Sequence, residues 1–170
     1  MTLQDKIQTN TTELHKSYSN LGDADVVFKQ SESTWSILEG LEHIFLINKA
    51  VYKVLTTPAK VIESAPVELF GEQKINNLLV INRGFKVVAP DFSKPTGSFI
   101  SIDVAKQNLN GINDKIVEHI NNNNIKEETI TIKHPMLGEM TKVDWVHFMI
   151  AHTNRHILQI EEIKSIIDNK

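Results

Sequence analysis

An all-α fold, a four-helix bundle, is what this chain predicts. Four long segments repeat their apolar residues every three or four positions, the spacing of one face of a helix. Breakers are sparse, with 7 glycines and 5 prolines in 170 residues of which 41% are apolar. The segments are joined by a longer irregular crossing between the second and third, with a short strand expected ahead of the fourth. No internal repeat breaks the chain, and residues 1–170 read as a single domain.

The first segment, about Leu3 to Leu21, places Leu3, Ile7, Leu14, Tyr18 and Leu21 on one face. The second, about Thr34 to Leu55, aligns Ile37, Leu41, Ile44, Asn48, Val51 and Leu55, and Ser36 with Glu39 has the pattern of a capping box at its start. The stretch from Thr56 to Gly97 is less regular, with a short helix expected around Val67 to Asn82 and then an extended run from Phe85 to Pro90. The third segment, about Phe99 to Ile120, lines up Ile102, Ala105, Leu109, Ile112, Ile116 and Ile120. Asn121 to Asn124 reads as a solvated connector, and Thr129 to Lys133 alternates like a short strand. His134 to Gly138 then turns into the fourth segment, about Thr141 to Ile167, with Thr141 as N-cap and Asp144 three residues on.

Charge and composition narrow the function. A net charge of -3, with no run of basic residues, gives no reason to expect nucleic acid as a partner. No apolar stretch approaches the ~18 residues of a membrane span, and the first residues lack a signal peptide's apolar core, so a cytoplasmic address is expected. The chain has no cysteine, so no protein thiol can act as nucleophile or ligand.

Three histidines carry the chemistry. His152 and His156 lie four apart within the stripe Trp145, Met149, His152, His156, Ile160, Ile163, Ile167. Residues four apart stack on a helix surface, so the two imidazoles can converge on one point. A buried imidazole needs a partner for its ring nitrogens, and a divalent metal is one that two can share. The pair by itself equally suits core histidines bonded to neighbouring side chains. His43, on a flank of the second helix with Gly40, Ile47, Ala50 and Val54, supplies a third candidate from another helix. Two ligands one turn apart plus a distant third match the open arrangement of catalytic zinc sites.

The other histidines are read structurally. His147 is five residues from His152, about 140° away around the helix, so it is expected to face solvent with Asn154 and Glu161. His119 suits a helix C-terminus. His15 and His134 are read as surface groups, either of which could line a pocket mouth. Glycine-rich nucleotide loops, the Gly-x-Ser-x-Gly elbow and His-Glu-x-x-His are all absent, and Thr153 stands where a zinc protease carries its glutamate.

The segments Thr34-Trp-Ser-Ile-Leu-Glu-Gly-Leu-Glu-His43, His134-Pro-Met-Leu-Gly-Glu-Met-Thr141 and Trp145-x-x-Phe148-x-x-x-His152-x-x-x-His156 resemble the DinB/YfiT-like superfamily of four-helix-bundle metalloproteins. The resemblance runs over the whole chain in helix order, loosely between Thr56 and Gly97. Carried over by position, it implies a metal triad of His43, His152 and His156. Members are described as metal-dependent hydrolases, and some as transferases that attach low-molecular-weight thiols to small electrophiles. The resemblance thus implies a divalent metal, zinc or nickel ahead of manganese or iron, a small-molecule substrate and a homodimer. It assigns no catalytic side chain beyond the ligands. Gln159, Asn108 and Glu42 are candidates to orient the imidazoles. Two other readings stay open: a non-catalytic, metal-stabilised dimeric bundle serving stress response or binding, and a metal-free bundle whose histidines bond one another.

Overall fold

The structure, a computed structural model, describes residues 1–58, 68–82, 88–123, 125 and 131–169. Its long helices are α1 (Leu3–Tyr18), α3 (Ile37–Thr56), α5 (Ile102–Asn122) and α6 (Lys142–Asp168), with short helices α2 (Asp23–Val26) and α4 (Gly71–Asn76) between them. Each long helix starts where a side chain can receive its first free N–H groups. Thr2, Ser36 and Thr141 form capping boxes with Asp5, Glu39 and Asp144, and the Ser101 hydroxyl accepts from the Val104 N–H. The expected stripes are buried along α3, and along α5 from Ala105 to Ile120.

Packing closes the four into a ring. α3 and α6 each lie against α5 or α1 and against each other, and α1 completes the circuit with α5. One apolar cluster joins the starts of α1 and α6, at Leu3, Ile7 and Val143 to Ala151, to the ends of α3 and α5, at Val51, Leu55, Ile116 and Ile120. The other joins Leu14, Tyr18 and Ile160 to Ile37, Leu41, Ala105 and Leu109. α1 and α6 therefore run in one direction, and α3 and α5 run together in the other. Two parallel neighbours require a connection that returns the length of a helix, about 1.5 Å per residue, which is why the middle crossing is long. His43, His152 and His156 fall where the two clusters meet.

Several connections differ from expectation. The helix expected from Val67 to Asn82 is α4 followed by a π-helical turn, Asn77–Ile81; Val67 lies outside the described residues. Of the run expected to be extended, residues 85–87 lie outside them too, and a 3-10 turn follows at Asp91–Ser93. Asn121 and Asn122 belong to α5 rather than to a loop, because the Asn123 side chain donates to the His119 carbonyl and closes the last turn; Asn124 lies outside the described residues. The expected strand is β1 (Thr131–His134), with residues 129 and 130 outside them, and it pairs antiparallel with β2 (Gly138–Thr141) in a hairpin that the sequence pattern missed. β2 reads Gly-Glu-Met-Thr, with one apolar residue, Met140, so it carries no apolar alternation to register. Among the described residues no helix is long and apolar enough to cross a membrane.

Candidate metal centre

His43, His152 and His156 converge. The Nε2 atoms of His43 and His152 are 3.1 Å apart, and those of His156 and His152 are 3.2 Å apart. Nitrogens each about 2.0–2.1 Å from one zinc ion lie roughly 2.9–3.4 Å from each other. These two spacings fall in that range, and all three ligand nitrogens lie within 4.8 Å of one another. Among the described residues no fourth imidazole or carboxylate joins the group. The rings are buried, with 5%, 9% and 8% of the three residues exposed.

Tautomers decide what these nitrogens can do. The Ser93 carbonyl, 2.7 Å from His43 Nδ1, can only accept, so Nδ1 carries the proton and Nε2 turns its lone pair towards the other two rings. His152 Nε2 faces both partners, yet one proton there serves only one of them. Hydrogen bonding alone would leave buried lone pairs opposed, whereas a cation accepts all three. Burial, with the neighbouring His43 and Arg155 charges, pushes the His156 pKa down to about 3. Burial and His156 hold that of His152 well below its ordinary value, and burial lowers that of His43. Three neutral imidazoles at neutral pH fit a divalent metal ion.

The walls are aromatic. The Trp35 ring lies 4.9 Å from that of His43, and Phe148 lies 5.7 Å from His152. Nothing within 4 Å occupies the space a Cβ would take at Gly40, one turn from His43.

Of the candidate orienting residues, Gln159 lies beside His156 and works against burial by raising that imidazole's pKa. Asn108 instead donates to the Val104 carbonyl of its own helix. Glu42 does not touch the triad; it binds residues 96–98. The Ser93 carbonyl was missed because a backbone acceptor has no side-chain signature. Arg155 and Asn154 point away from the triad, to the Leu79 carbonyl and the Asn10 amide.

His147 corrects an expectation. It lies outside the triad, as its helical phase requires, but it is 5% exposed rather than solvated. α4 packs on α6, and Glu68 just before it places Oε1 3.4 Å from His147 Nε2, covering a face that four helices alone would leave open. His119 sits in the last turn of α5 beside Asn123. His15, half-buried, lines a groove of about 320 Å³ between α1 and α5. His134 is also half-buried, its Nδ1 accepting from the Met136 and Leu137 N–H groups and its ring against Trp145 and Phe148.

Residues 6–160 match the family model of the DinB superfamily. The chain belongs to that superfamily. It is 32% identical over 155 residues to the uncharacterized protein YuaE of Bacillus subtilis (strain 168), covering 87% of this chain and 88% of the relative. The crystal structure of TT2238, a four-helix bundle protein, superposes with a TM-score of 0.61 over 94% of this chain and 96% of that one, at 14% identity. That likeness establishes the shared fold, and the site rests on the residues of this chain.

Proposed function

We propose that this DinB-superfamily protein is a metal-dependent enzyme acting on a small electrophilic molecule, by hydrolysis or by transfer of a low-molecular-weight thiol. The observation that carries the reading is the convergence of three imidazoles with no fourth imidazole or carboxylate in their group among the described residues. A divalent cation on three neutral ligands keeps its full charge, so it makes bound water or a thiol acidic enough to be a nucleophile near neutral pH. Imidazole donors suit zinc and nickel, with manganese and iron behind them.

The chain's own residues prepare the site. His43 is held in one tautomer by the Ser93 carbonyl. Trp35 and Phe148 give the imidazoles apolar neighbours, which keeps them neutral and strengthens local electrostatics. With no cysteine in the chain, a reacting thiol must arrive with the substrate.

Metal analysis of protein purified without an affinity tag, followed by an assay of thiol consumption with a small electrophile, tests the proposal. Activity should vanish on chelation and return with added zinc or nickel. Persistence in fully metal-free protein would remove the metal from the mechanism. The low exposure of the triad favours a second reading, a metal-stabilised bundle without catalysis. In that case metal removal would lower stability, and the metal-loaded protein would turn over no electrophile.

A further inference from the structure

Glu42 precedes His43 on α3 and is 2% exposed. Its carboxylate accepts from the Thr96 N–H at 2.8 Å, the Thr96 hydroxyl at 2.7 Å, the Gly97 N–H at 3.0 Å, the Ser98 N–H at 3.1 Å and the Ser98 hydroxyl at 2.9 Å. A carboxylate offers about four lone-pair directions, so these donors saturate it. Gly97, at φ +81°, adopts the left-handed turn that lets successive N–H groups face one anion. A few residues upstream, the Ser93 carbonyl takes the Nδ1 proton of His43. Ser93 is fully buried, and its own N–H and hydroxyl bond the Pro90 carbonyl. Pro95 stiffens the link between the two anchor points. Two consecutive residues of α3 thus grip one segment, Glu42 at 96–98 and His43 at 93.

We infer that Glu42 is a positioning residue for the triad: it holds residues 93–98 against α3, so that the Ser93 carbonyl fixes the tautomer of His43 and directs its Nε2 at His152 and His156. The inference rests on the triad being the metal site, and it adds a reason for an acid that never reaches the metal. Replacing Glu42 by Gln keeps the shape but turns one acceptor oxygen into an amide donor facing donors. The segment then loses its anchor, and the Nδ1–H of His43 loses its fixed acceptor.

The test combines two readouts on Glu42→Gln, with Asp144→Asn, an acid outside the triad, as a stability control. Nitrogen-15 shifts of the imidazoles in metal-free protein report the tautomer. His43 should be the Nδ1–H form in wild type and in Asp144→Asn, and a mixture in Glu42→Gln. Competition against a chromophoric chelator reports Zn²⁺ affinity, which should fall about ten-fold or more in Glu42→Gln, the cost of losing an outer partner of a ligand, and less than about two-fold in Asp144→Asn. Unchanged tautomer and unchanged Zn²⁺ affinity in Glu42→Gln would overturn the inference. If wild type fails to bind Zn²⁺, the metal reading falls, while the tautomer readout still decides the role of Glu42. Should Glu42→Gln not fold, Thr96→Val with Ser98→Ala removes both hydroxyl donors and keeps the backbone ones; a smaller shift in the same direction supports the inference, and none overturns it.

Discussion

Asp144 and Glu42 meet the same physical problem at two places in the bundle. Each is a buried carboxylate, 0% and 2% exposed, on a long helix, and each binds a segment of the middle crossing. Asp144 accepts from the N–H groups of Leu69, Phe70 and Gly71 and from the N–H and hydroxyl of Thr141. Burial would push both carboxyls up, but the backbone and hydroxyl donors outweigh it and hold both below their usual values. Each bound segment contains a left-handed glycine, Gly71 at φ +72° and Gly97 at φ +81°. The surroundings differ. Asp144 caps α6 among core residues such as Val143 and Trp145, and what it holds covers His147. Glu42 adjoins His43, and what it holds carries the acceptor that orients a candidate ligand. One clasp closes a core; the other aims an imidazole.

The sharpest way to break the comparison is to remove the Asp144 clasp. Asp144→Ala orphans the buried N–H and hydroxyl of Thr141 and the part-buried N–H groups of residues 69–71 at once and deletes an N-terminal box, so a loss of about 3 kcal/mol or more is expected in urea unfolding. Zn²⁺ affinity of the folded fraction should stay near wild type; a collapse of that affinity would show that the two clasps are not separable. Next, His152→Ala should lower Zn²⁺ affinity by more than the ~10–100-fold typical of an outer partner, while His147→Ala should leave it near wild type. Equal losses in both would show that helical phase does not select the ligands.

Acid distinguishes the two regions further. In metal-free protein the triad's lowered pKa values mean that unfolding takes up protons below the ordinary histidine value of about 6.5. That stability is complete above about pH 6.5 and is lost as pH falls, at about 1.4 kcal/mol per pH unit for each proton taken up. The two clasps, with lowered carboxylate values, keep their contribution above about pH 4.5 and lose it below, as pH falls through the folded values. Urea midpoints at pH 7.5, 6 and 5 should therefore decline from the triad first; a flat profile over that range would contradict neutral buried imidazoles. The smallest effect is expected at Ser36→Ala, which removes an ordinary cap next to the site for about 1 kcal/mol. Urea unfolding checks this, and Thr141→Ala should cost more there, because its hydroxyl also donates to buried Asp144.

The amino-acid sequence by itself determined the four long helices, two of the three capping boxes and the stacked pair His152 and His156. These depend on spacings of three and four residues along one helix, and on short-range contacts between a cap and the first turn. His43, offered as a third candidate from another helix, meets that pair only through the tertiary structure. It did not disclose the β-hairpin, the burial of His147 or the carbonyl of Ser93, because each depends on which segment folds over which helix. Glu42 was legible as one of three candidates to orient the imidazoles, beside Gln159 and Asn108, with nothing in the sequence to choose it. Its donors lie more than fifty residues away, at Thr96, Gly97 and Ser98, and only the tertiary return of the crossing brings them to it. Local periodicity places side chains on faces. Long-range backbone hydrogen bonds, which carry no residue code, decide how those faces are held.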